Sequence, residues 1–523
     1  MTAEPLEPVK TTGGELTGTT VNDVATGRPV RRFAGVPYAA PPVGERRFRA
    51  PAPAEPWSGV RPAVSFGPSA PQRTTGPLTD AVPGMRATTT DEDCLTLNVW
   101  TPADAAPGDD LPVLVWIHGG AYVIGGSALE TYDGTHLSAL HGAVVVSVNY
   151  RLGALGFLVL PEATAAEIGA SPNCGLLDQL AALQWVRDNI SAFGGDPSTT
   201  TLFGESAGAG CLLHQLGVPA GAGLYRRAIL QSPGAELIHR PLAEQLAEAF
   251  MRRAGVDPAE PHALLELSTD AILDAQEGAA EDLAHAFGAM PWAPVIDGDV
   301  LPADPRDRII AGGVRGVDVI IGTTSGELGL YTGAMAELPP EAVAGVLRHL
   351  LTPVLGHDPG DEACGRLMTS YWGDGTRPPV DVYTDVLSDA AMAVPALQLA
   401  DRLAASGTRT FSYRFDWPAP VMGPCHASDL PFTFGTLDVE GWSDFVGADA
   451  DAHRLADDIG ASWVAFARTG DPSNERIGTW PAYDAAQQVL VLGREISVVR
   501  HPVAARLHLH DEVQTPPTQG ATA

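Results

Sequence analysis

The chain has 523 residues, with 63 aspartates and glutamates against 32 lysines and arginines, so its formal net charge is −31 with neutral histidines. So acidic a chain is unlike most nucleic-acid-binding proteins, which present basic surfaces. Lys10 is the only lysine, and it lies in a polar N-terminal stretch. Chemistry that needs a lysine inside the fold is therefore excluded, including a Schiff base, a Walker phosphate loop and a Ser-x-x-Lys dyad.

The composition is typical of a folded globular protein, because 45% of the residues are hydrophobic and 18% are charged. No apolar run approaches the roughly 18 residues of a membrane span, and the N-terminus is acidic where a signal peptide would be basic. The five cysteines form no Cys-x-x-Cys pair, which favours neither a disulfide scaffold nor a zinc site. We expect a cytoplasmic protein with no nucleic-acid or membrane partner, and the sequence leaves monomer and homodimer open.

Short apolar runs rich in β-branched residues alternate with helical patterns, which is typical of a mostly parallel sheet covered by helices. Seven strands are predicted, at residues 113–117, 143–148, 200–203, 227–230, 317–321, 410–415 and 489–492. Residues 176–190 and 241–254 have the spacing of amphipathic helices. Prolines in 35–56 and 72–83 favour loops or edge elements there.

Residues 204–208, Gly-Glu-Ser-Ala-Gly, fit the Gly-x-Ser-x-Gly pattern, in which small neighbours allow a strained turn that exposes a serine hydroxyl above a sheet. The motif alone is weak evidence, since about 0.25 matches are expected by chance in a chain of this composition. Its setting strengthens it, because a predicted strand precedes it and a helix-like run ending at Gly217 follows. The alternative is a Gly-rich connection without a catalytic role.

A serine nucleophile needs a general base, and the base needs a carboxylate to orient it. Two loops after later predicted strands fit this demand, one ending at Glu327 and the other at His426. Rival candidates are two aspartates beside an Asp-Gly turn signal and two histidines whose alternation suits the exposed face of a strand. These rivals are Asp297, Asp299, His508 and His510.

The loop after the strand at 113–117 reads His118-Gly119-Gly120-Ala121-Tyr122. Two adjacent glycines let backbone amides approach a substrate closely, which suits an oxyanion hole. Ala207, directly after the serine, would donate another amide. A simple tight turn is the alternative for the two glycines.

Taken together, these residues resemble the type-B carboxylesterase family, which belongs to the α/β-hydrolase superfamily, and the likeness covers nearly the whole chain. Matching segments include GVPYAAPPVGERRF at 35–48, EDCLTLNVWTP at 92–102, WIHGGAYVIG at 116–125, FGGDPSTTTLFGESAG at 193–208 and HASDLPFTFG at 426–435. The resemblance implies an α/β-hydrolase fold, with a large, mostly parallel central sheet flanked by helices and helical insertions forming the upper part of the active-site cleft. It also implies one large domain over residues 1–523, in which we expect a flexible tail from about residue 512.

The resemblance further implies a serine esterase that needs no cofactor and acts through an acyl-enzyme on small to medium, mostly neutral and apolar esters. It assigns Ser206 as the nucleophile, Glu327 as the triad acid and His426 as the base. It assigns the oxyanion-hole amides to Gly120, Ala121 and Ala207. Carbamates, activated amides and lactones remain open as substrates. A non-catalytic adhesion protein of the same fold is a remote alternative, because all three triad residues are present.

Departures from the family pattern concern the acid and one cysteine. The acid lies in Gly326-Glu327-Leu328, where the family usually has Asp-Glu-Gly. Cys94 matches a position that forms a disulfide in many relatives, but the expected partner position holds Ala70, so no disulfide is expected. Cys425 is interpreted as a small core residue. Candidates for the pocket wall, with ordinary core packing as an equal alternative, are Trp292, Leu328, Leu330 and Tyr331.

Overall fold

The computed structural model describes residues 6–514 except 235–236, 285–289, 315, 333–344, 346, 349–350, 353–357 and 374–375. Its strands are β1 (Val9–Lys10), β2 (Glu15–Thr17), β3 (Thr19–Asn22), β4 (Pro29–Pro37), β5 (Val60–Pro62), β6 (Thr96–Pro102), β7 (Val113–Ile117), β8 (Val144–Val148), β9 (Thr201–Glu205), β10 (Arg227–Gln231), β11 (Ile238–His239), β12 (Val295–Ile296), β13 (Asp318–Thr324), β14 (Thr410–Phe415), β15 (Gln488–Leu492) and β16 (Ser497–Arg500).

The α-helices of the described residues are α1 (Pro77–Ala81), α2 (Thr135–His141), α3 (Gly153–Phe157), α4 (Glu162–Ile168), α5 (Cys174–Asn189), α6 (Ala207–Gly217), α7 (Arg240–Ala254), α8 (Ala263–Glu266), α9 (Thr269–Asp282), α10 (Pro305–Ile310), α11 (Gly329–Thr332), α12 (Asp361–Trp372), α13 (Pro379–Ser388), α14 (Val394–Ala405), α15 (Leu430–Phe434), α16 (Trp442–Val446), α17 (Ala450–Thr469) and α18 (Leu507–Gln514). A π-helical turn, Asp389–Ala393, joins α13 to α14. None of the described helices combines the length and apolar character needed to cross a bilayer.

Eleven of the described strands form one sheet in the order β16-β15-β14-β13-β10-β9-β7-β8-β6-β4-β3. The seven consecutive strands from β15 to β8 pair in parallel, and they are the seven strands predicted from the sequence, with ends within three residues of the expected ones. The mostly parallel sheet is thus confirmed. Because the carboxyl ends of parallel strands meet at one edge of the sheet, the loops after β7, β9, β13 and β14 all lie at that edge.

The other four strands of this sheet, β3, β4, β6 and β16, were not predicted from the sequence, and they pair antiparallel at its two ends. β16 has four exposed residues, so it carries no alternation of apolar and polar positions. β4 begins and ends with proline and is bulged between Phe33 and Val36, which removes the regular period of two. Val36 and Pro37, inside the stretch expected to be loop or edge, pair with β6 alone.

The sheet separates two hydrophobic clusters, and β7 contributes alternate residues to each of them. Val113, Val115 and Ile117 belong to one cluster, which includes residues of α5 and α6. Leu114 and Trp116 belong to the other, which includes residues of α15 and α17. All five residues of β7 are buried, as expected for a central parallel strand covered by helices on both faces.

Both predicted helices are present, as α5 and α7, with ends within two residues of those expected. The stretch 72–83 differs from the expectation, because it contains the short helix α1. Pro77 is the first residue of α1, and proline is tolerated there because the first N–H groups of a helix have no partner within the helix.

The C-terminal residues also differ from the expectation. His508 and His510 lie in the helix α18 and not in a strand, so residues two apart point to different sides, and His508 is exposed while His510 is buried. Val513 is buried, so α18 is packed on the protein over the first residues of the tail expected from about 512. Residues 515–523 of that tail lie outside the described residues.

Candidate active site

Ser206 is the single residue between β9 and α6, and its backbone has φ 57° and ψ −127°. A positive φ is strained for a residue with a Cβ atom, as expected of the sharp turn that exposes a serine hydroxyl. The turn is held in place because Ser206 N donates to Gln231 O at 2.9 Å and Ser206 O accepts from Gly210 N at 2.8 Å. A Cβ atom on Gly208 would lie 2.1 Å from Ile117 O, so the motif needs glycine there for close packing.

His426 lies in the loop after β14, and Glu327 lies in the loop after β13. The Nδ1 atom of His426 is 2.6 Å from Oε2 of Glu327, and the backbone N–H of His426 donates to Glu327 O at 3.0 Å. Both side chains are buried, with relative exposures of 6% and 0%. The structure therefore joins the two predicted loops and gives His426 a carboxylate partner on Nδ1.

The second oxygen of the Glu327 carboxylate is held by two donors. Its Oε1 accepts from Thr324 N at 2.7 Å and from Ser232 Oγ at 2.5 Å. Ser232 directly follows β10 and is completely buried. Ser232 was not predicted as a site residue, and its signal in the sequence is its place directly after a predicted strand, at the same edge of the sheet.

Glu205, the residue before Ser206, is a second buried carboxylate beside His426. Its Oε1 lies 3.1 Å from Nε2 of His426, and it is 2% exposed. Burial raises the pKa of Glu205 above its ordinary value, because a low-dielectric site disfavours the charged carboxylate, and the adjacent His426 opposes this rise by favouring the charged form. The approach of His426 to this residue brings Nε2 to the turn that carries Ser206. The sequence pattern treats this position as variable, so it gave no signal.

The loop after β7, where the sequence predicts an oxyanion hole, has an unusual backbone conformation. Gly120, Ala121 and Tyr122 all have positive φ, at 110°, 51° and 62°. A Cβ atom on Gly119 would lie 2.6 Å from Glu205 O, so the loop packs directly against the turn that carries Ser206. Ala207 is the first residue of α6, and its N–H therefore has no acceptor within the helix.

Two buried side chains hold this loop. The ring of His118 stacks on Tyr150 with 4.5 Å between centroids, and Tyr150 Oη donates to His118 O at 2.7 Å. Burial lowers the pKa of His118 to about 4, so its ring is neutral near pH 7. The amide of Gln72 donates to Gly125 O and accepts from Gly125 N. Neither the contact of Tyr150 nor that of Gln72 was predicted.

The rival candidates have other roles in the structure. The carboxylate of Asp297 accepts from the backbone N–H groups of Asp299, Val300 and Leu301, which confirms the turn expected there. His510 is buried, and its Nε2 atom lies 2.7 Å from the hydroxyl of Tyr371.

The cysteines and the proposed wall residues are mostly packing residues. All five cysteines are free and buried. Burial raises the pKa of the Cys425 thiol to about 12, as suits a core residue. Trp292 is buried and packs edge-on to Phe250, Leu328 and Leu330 are partly buried beside hydrophobic clusters, and Tyr331 is 49% exposed. Among the described residues, no group of three or more His, Cys, Asp or Glu is placed to hold a metal ion.

Comparisons with known proteins agree with this geometry. The family model described as the carboxylesterase family matches residues 6–509. The chain is 34% identical to a para-nitrobenzyl esterase of Bacillus subtilis (strain 168) over 505 residues, which are 94% of this chain and 96% of that protein. It is 36% identical to a phenmedipham hydrolase of Pseudarthrobacter oxydans over 490 residues, which are 91% and 94% of the two chains.

Solved structures give the same result. A PNB esterase matches with a TM-score of 0.82 at 32% identity, covering 98% of this chain and 100% of its own. A Geobacillus stearothermophilus carboxylesterase matches with a TM-score of 0.82 at 34% identity, covering 96% and 99%. The α/β-hydrolase fold of these esterases is thus the fold of this chain. The chain belongs to the carboxylesterase family and is a carboxylic-ester hydrolase.

Proposed function

We propose that this enzyme cleaves esters through an acyl-enzyme on Ser206, with His426 as the general base and Glu327 as the acid that orients it. The observation that supports this assignment is the position of His426, which bonds Glu327 through Nδ1 and turns Nε2 toward the residue next to Ser206. Glu327 fixes the tautomer that leaves Nε2 free to accept a proton, and it stabilises the imidazolium that forms.

The reaction has two balanced halves. As Ser206 Oγ bonds to the ester carbonyl carbon, its proton passes to Nε2 of His426, and the carbonyl oxygen becomes an oxyanion. Nε2 then returns the proton to the leaving alcohol as the C–O bond breaks. Water then bonds to the acyl carbon while its proton passes to Nε2, and Nε2 returns this proton to Ser206 Oγ as the acyl C–O bond breaks and the acid is released. The N–H groups of Gly120, Ala121 and Ala207 would stabilise the oxyanion in both halves.

The proposed substrates are small to medium, mostly neutral and apolar esters. The net charge of −31 supports this class, because a negative field repels anionic substrates. Carbamate hydrolysis is a second candidate for the same site, supported by the similarity to a phenmedipham hydrolase. Parallel rates on an ester and a carbamate with the same alcohol group would rank the two activities.

We also propose that the chain acts as one α/β domain in the cytoplasm, as a monomer or homodimer. One sheet takes strands from Thr19 to Arg500, which supports a single domain. Five buried free cysteines suit a reducing compartment. The assigned triad comes from one chain, so activity is expected in either assembly state. Size-exclusion chromatography with light scattering would measure that state.

The test of the assignment is Ser206→Ala, assayed with p-nitrophenyl acetate. We expect kcat to fall by at least about 10³-fold, because no nucleophile remains, while the thermal denaturation midpoint stays close to that of the wild type. The wild type should also release a burst of p-nitrophenol equal to the enzyme concentration if deacylation limits turnover. Ser198→Ala, at an exposed serine, is the matched control and should keep wild-type kcat. Turnover by Ser206→Ala at the wild-type rate would refute the assignment.

A further inference from the structure

The turn that carries Glu327 is bound to the helix α13. The backbone N–H of Leu328 donates to Ser388 Oγ at 2.9 Å. One helical turn earlier on α13, Thr384 Oγ1 lies 2.6 Å from Thr332 Oγ1 at the end of α11. Residues four apart lie on one face of a helix, so this face of α13 runs along the segment that follows the acid.

Ser388 is well placed to fix this turn. It is 2% exposed, and it is the last residue of α13 before the π-helical turn Asp389–Ala393. An extra residue in a helical turn changes which side chains face a neighbouring segment, and such turns occur often at functional sites. Here the side chain of Ser388 contacts the turn that carries Glu327, while the side chain of the adjacent Asp389 contacts α12.

The π-helical turn is itself held from the opposite side. The hydroxyl of Tyr371, on α12, donates to Asp389 Oδ2 at 2.5 Å and lies 2.7 Å from His510 Nε2 on α18. The guanidinium of Arg506 lies 4.2 Å from the centroid of the Tyr371 ring. The position of Ser388 therefore depends on three helices, α12, α13 and α18.

The side chain of Leu328 also packs against a hydrophobic cluster to which these three helices contribute. The cluster includes Leu367, Val386 and Val513, from α12, α13 and α18. This chain has leucine where the sequence pattern of its relatives led us to expect glycine, so the residue after the acid is attached here through both its side chain and its N–H.

We propose that Ser388 is a positioning residue for the triad acid, because its bond to the N–H of Leu328 holds the turn from which Glu327 reaches His426. The inference rests on the proposed role of Glu327. Thr324 and Ser232 hold the carboxylate from the sheet, and Ser388 holds the backbone from the helical side. Loss of this contact leaves the N–H of Leu328 without its acceptor and loosens the bond between Glu327 and His426.

The test compares Ser388→Ala with the wild type. We expect kcat to fall about tenfold and KM to stay within about twofold. We also expect the acid limb, which is the fall of kcat/KM at low pH as His426 becomes protonated, to move to lower pH. The reason is that a weaker bond to Glu327 stabilises the imidazolium less. Ser370→Ala is the matched control, because the Ser370 hydroxyl donates to Leu367 O within α12. It should match the wild type in kcat and in the acid limb.

A second variant serves if Ser388→Ala does not fold. Tyr371→Phe keeps the ring and its packing but removes the hydroxyl that holds Asp389, and it should lower kcat about threefold with the same direction of shift in the acid limb. Wild-type kcat and an unmoved acid limb in the folded variants would overturn the inference, as would an equal loss in Ser370→Ala.

Glu327→Gln separates this inference from the proposed function. If Glu327→Gln and Ser206→Ala are both inactive while Ser388→Ala behaves as the wild type, the inference about Ser388 fails alone. If Glu327→Gln keeps wild-type kcat, the proposed role of the acid fails, and the inference fails with it.

Discussion

The Nε2 atom of His426 lies 3.1 Å from Oε1 of Glu205, so the imidazole stands between this carboxylate and that of Glu327 on Nδ1. Burial by itself lowers the pKa of His426, because it disfavours the charged imidazolium. The charges of Glu205 and Glu327, with the hydrogen bond to Glu327, outweigh burial and raise the pKa of His426 above its ordinary value. Since only the neutral imidazole accepts the serine proton, activity is lost as the pH falls through this raised pKa.

Replacing Glu205 by glutamine should move the acid limb of kcat/KM to lower pH by about one unit or more. The amide keeps the shape of the side chain but removes a charge next to the imidazole, and such a charge shifts a buried pKa by this order. The pH profile of p-nitrophenyl acetate hydrolysis measures the shift. Glu440→Gln, the same change at an exposed position, should leave the limb in place. An acid limb unmoved by Glu205→Gln would show that this carboxylate does not set the pKa of the base.

Two glycine-to-alanine changes in helices should have opposite effects on stability. A Cβ atom at Gly208 would lie 2.1 Å from Ile117 O and 2.9 Å from His118 O, both backbone atoms that cannot move freely. At Gly365, inside α12, a Cβ atom would meet no heavy atom of the described residues within 4 Å, apart from its chain neighbours and the backbone of its own helix.

Gly208→Ala is expected to lower the free energy of unfolding by about 2–3 kcal/mol and to reduce activity sharply. Gly365→Ala should raise it by up to about 1 kcal/mol, because alanine loses less backbone entropy in a helix. Urea denaturation midpoints and kcat measure both effects. A Gly208→Ala enzyme as stable as Gly365→Ala would contradict the close packing of the turn against β7.

His136, on α2, joins two distant parts of the chain through Asp23 and Asp457, each 3.0 Å from one of its ring nitrogens. Burial lowers the pKa of His136, but the hydrogen bonds and charges of both aspartates raise it above the ordinary value of about 6.5. The folded state therefore binds this proton more tightly than the unfolded state. The resulting stabilisation is complete below about pH 6.5 and is lost as the pH rises through the folded pKa.

His136→Gln should accordingly lower the free energy of unfolding by about 1 kcal/mol or more at pH 6 and by less at pH 9. Urea denaturation of wild type and variant at both pH values gives the difference directly, and other titrating groups cancel in the comparison. The control is His453→Gln, since the His453 side chain is 48% exposed. A larger loss of unfolding free energy at pH 9 than at pH 6 would contradict a bridge that depends on protonated His136.

The net charge leads to a prediction about substrates. At low salt, an ester with an anionic group should have a lower kcat/KM than its neutral analogue of equal size, and the gap should narrow as salt is added. The reason is screening, because the Debye length falls from about 30 Å at 0.01 M salt to about 3 Å at 1 M. Rates for both esters across this range measure the effect. Faster hydrolysis of the anionic ester at low salt would contradict a repulsive field.

Local pattern was sufficient for the seven central parallel strands. The seven parallel strands are predicted because strands covered on both faces are continuous apolar runs, as in Val113–Ile117. The antiparallel strands β4 and β16 were missed because prolines, a bulge or full exposure erase the pattern. His510 was wrongly placed in a strand, because a three-residue alternation is too short to distinguish a strand from a helix.

By itself, the sequence determined the order of the sheet's parallel strands along the chain, the Gly-x-Ser-x-Gly turn and, through a family resemblance, the candidates for base and acid. Only the tertiary structure decided which other groups touch them. Glu205 beside His426, Ser232 on the carboxylate of Glu327 and Ser388 on the turn after it are contacts between residues far apart in the chain. Such contacts depend on how strands and helices pack, and local periodicity carries no record of that packing.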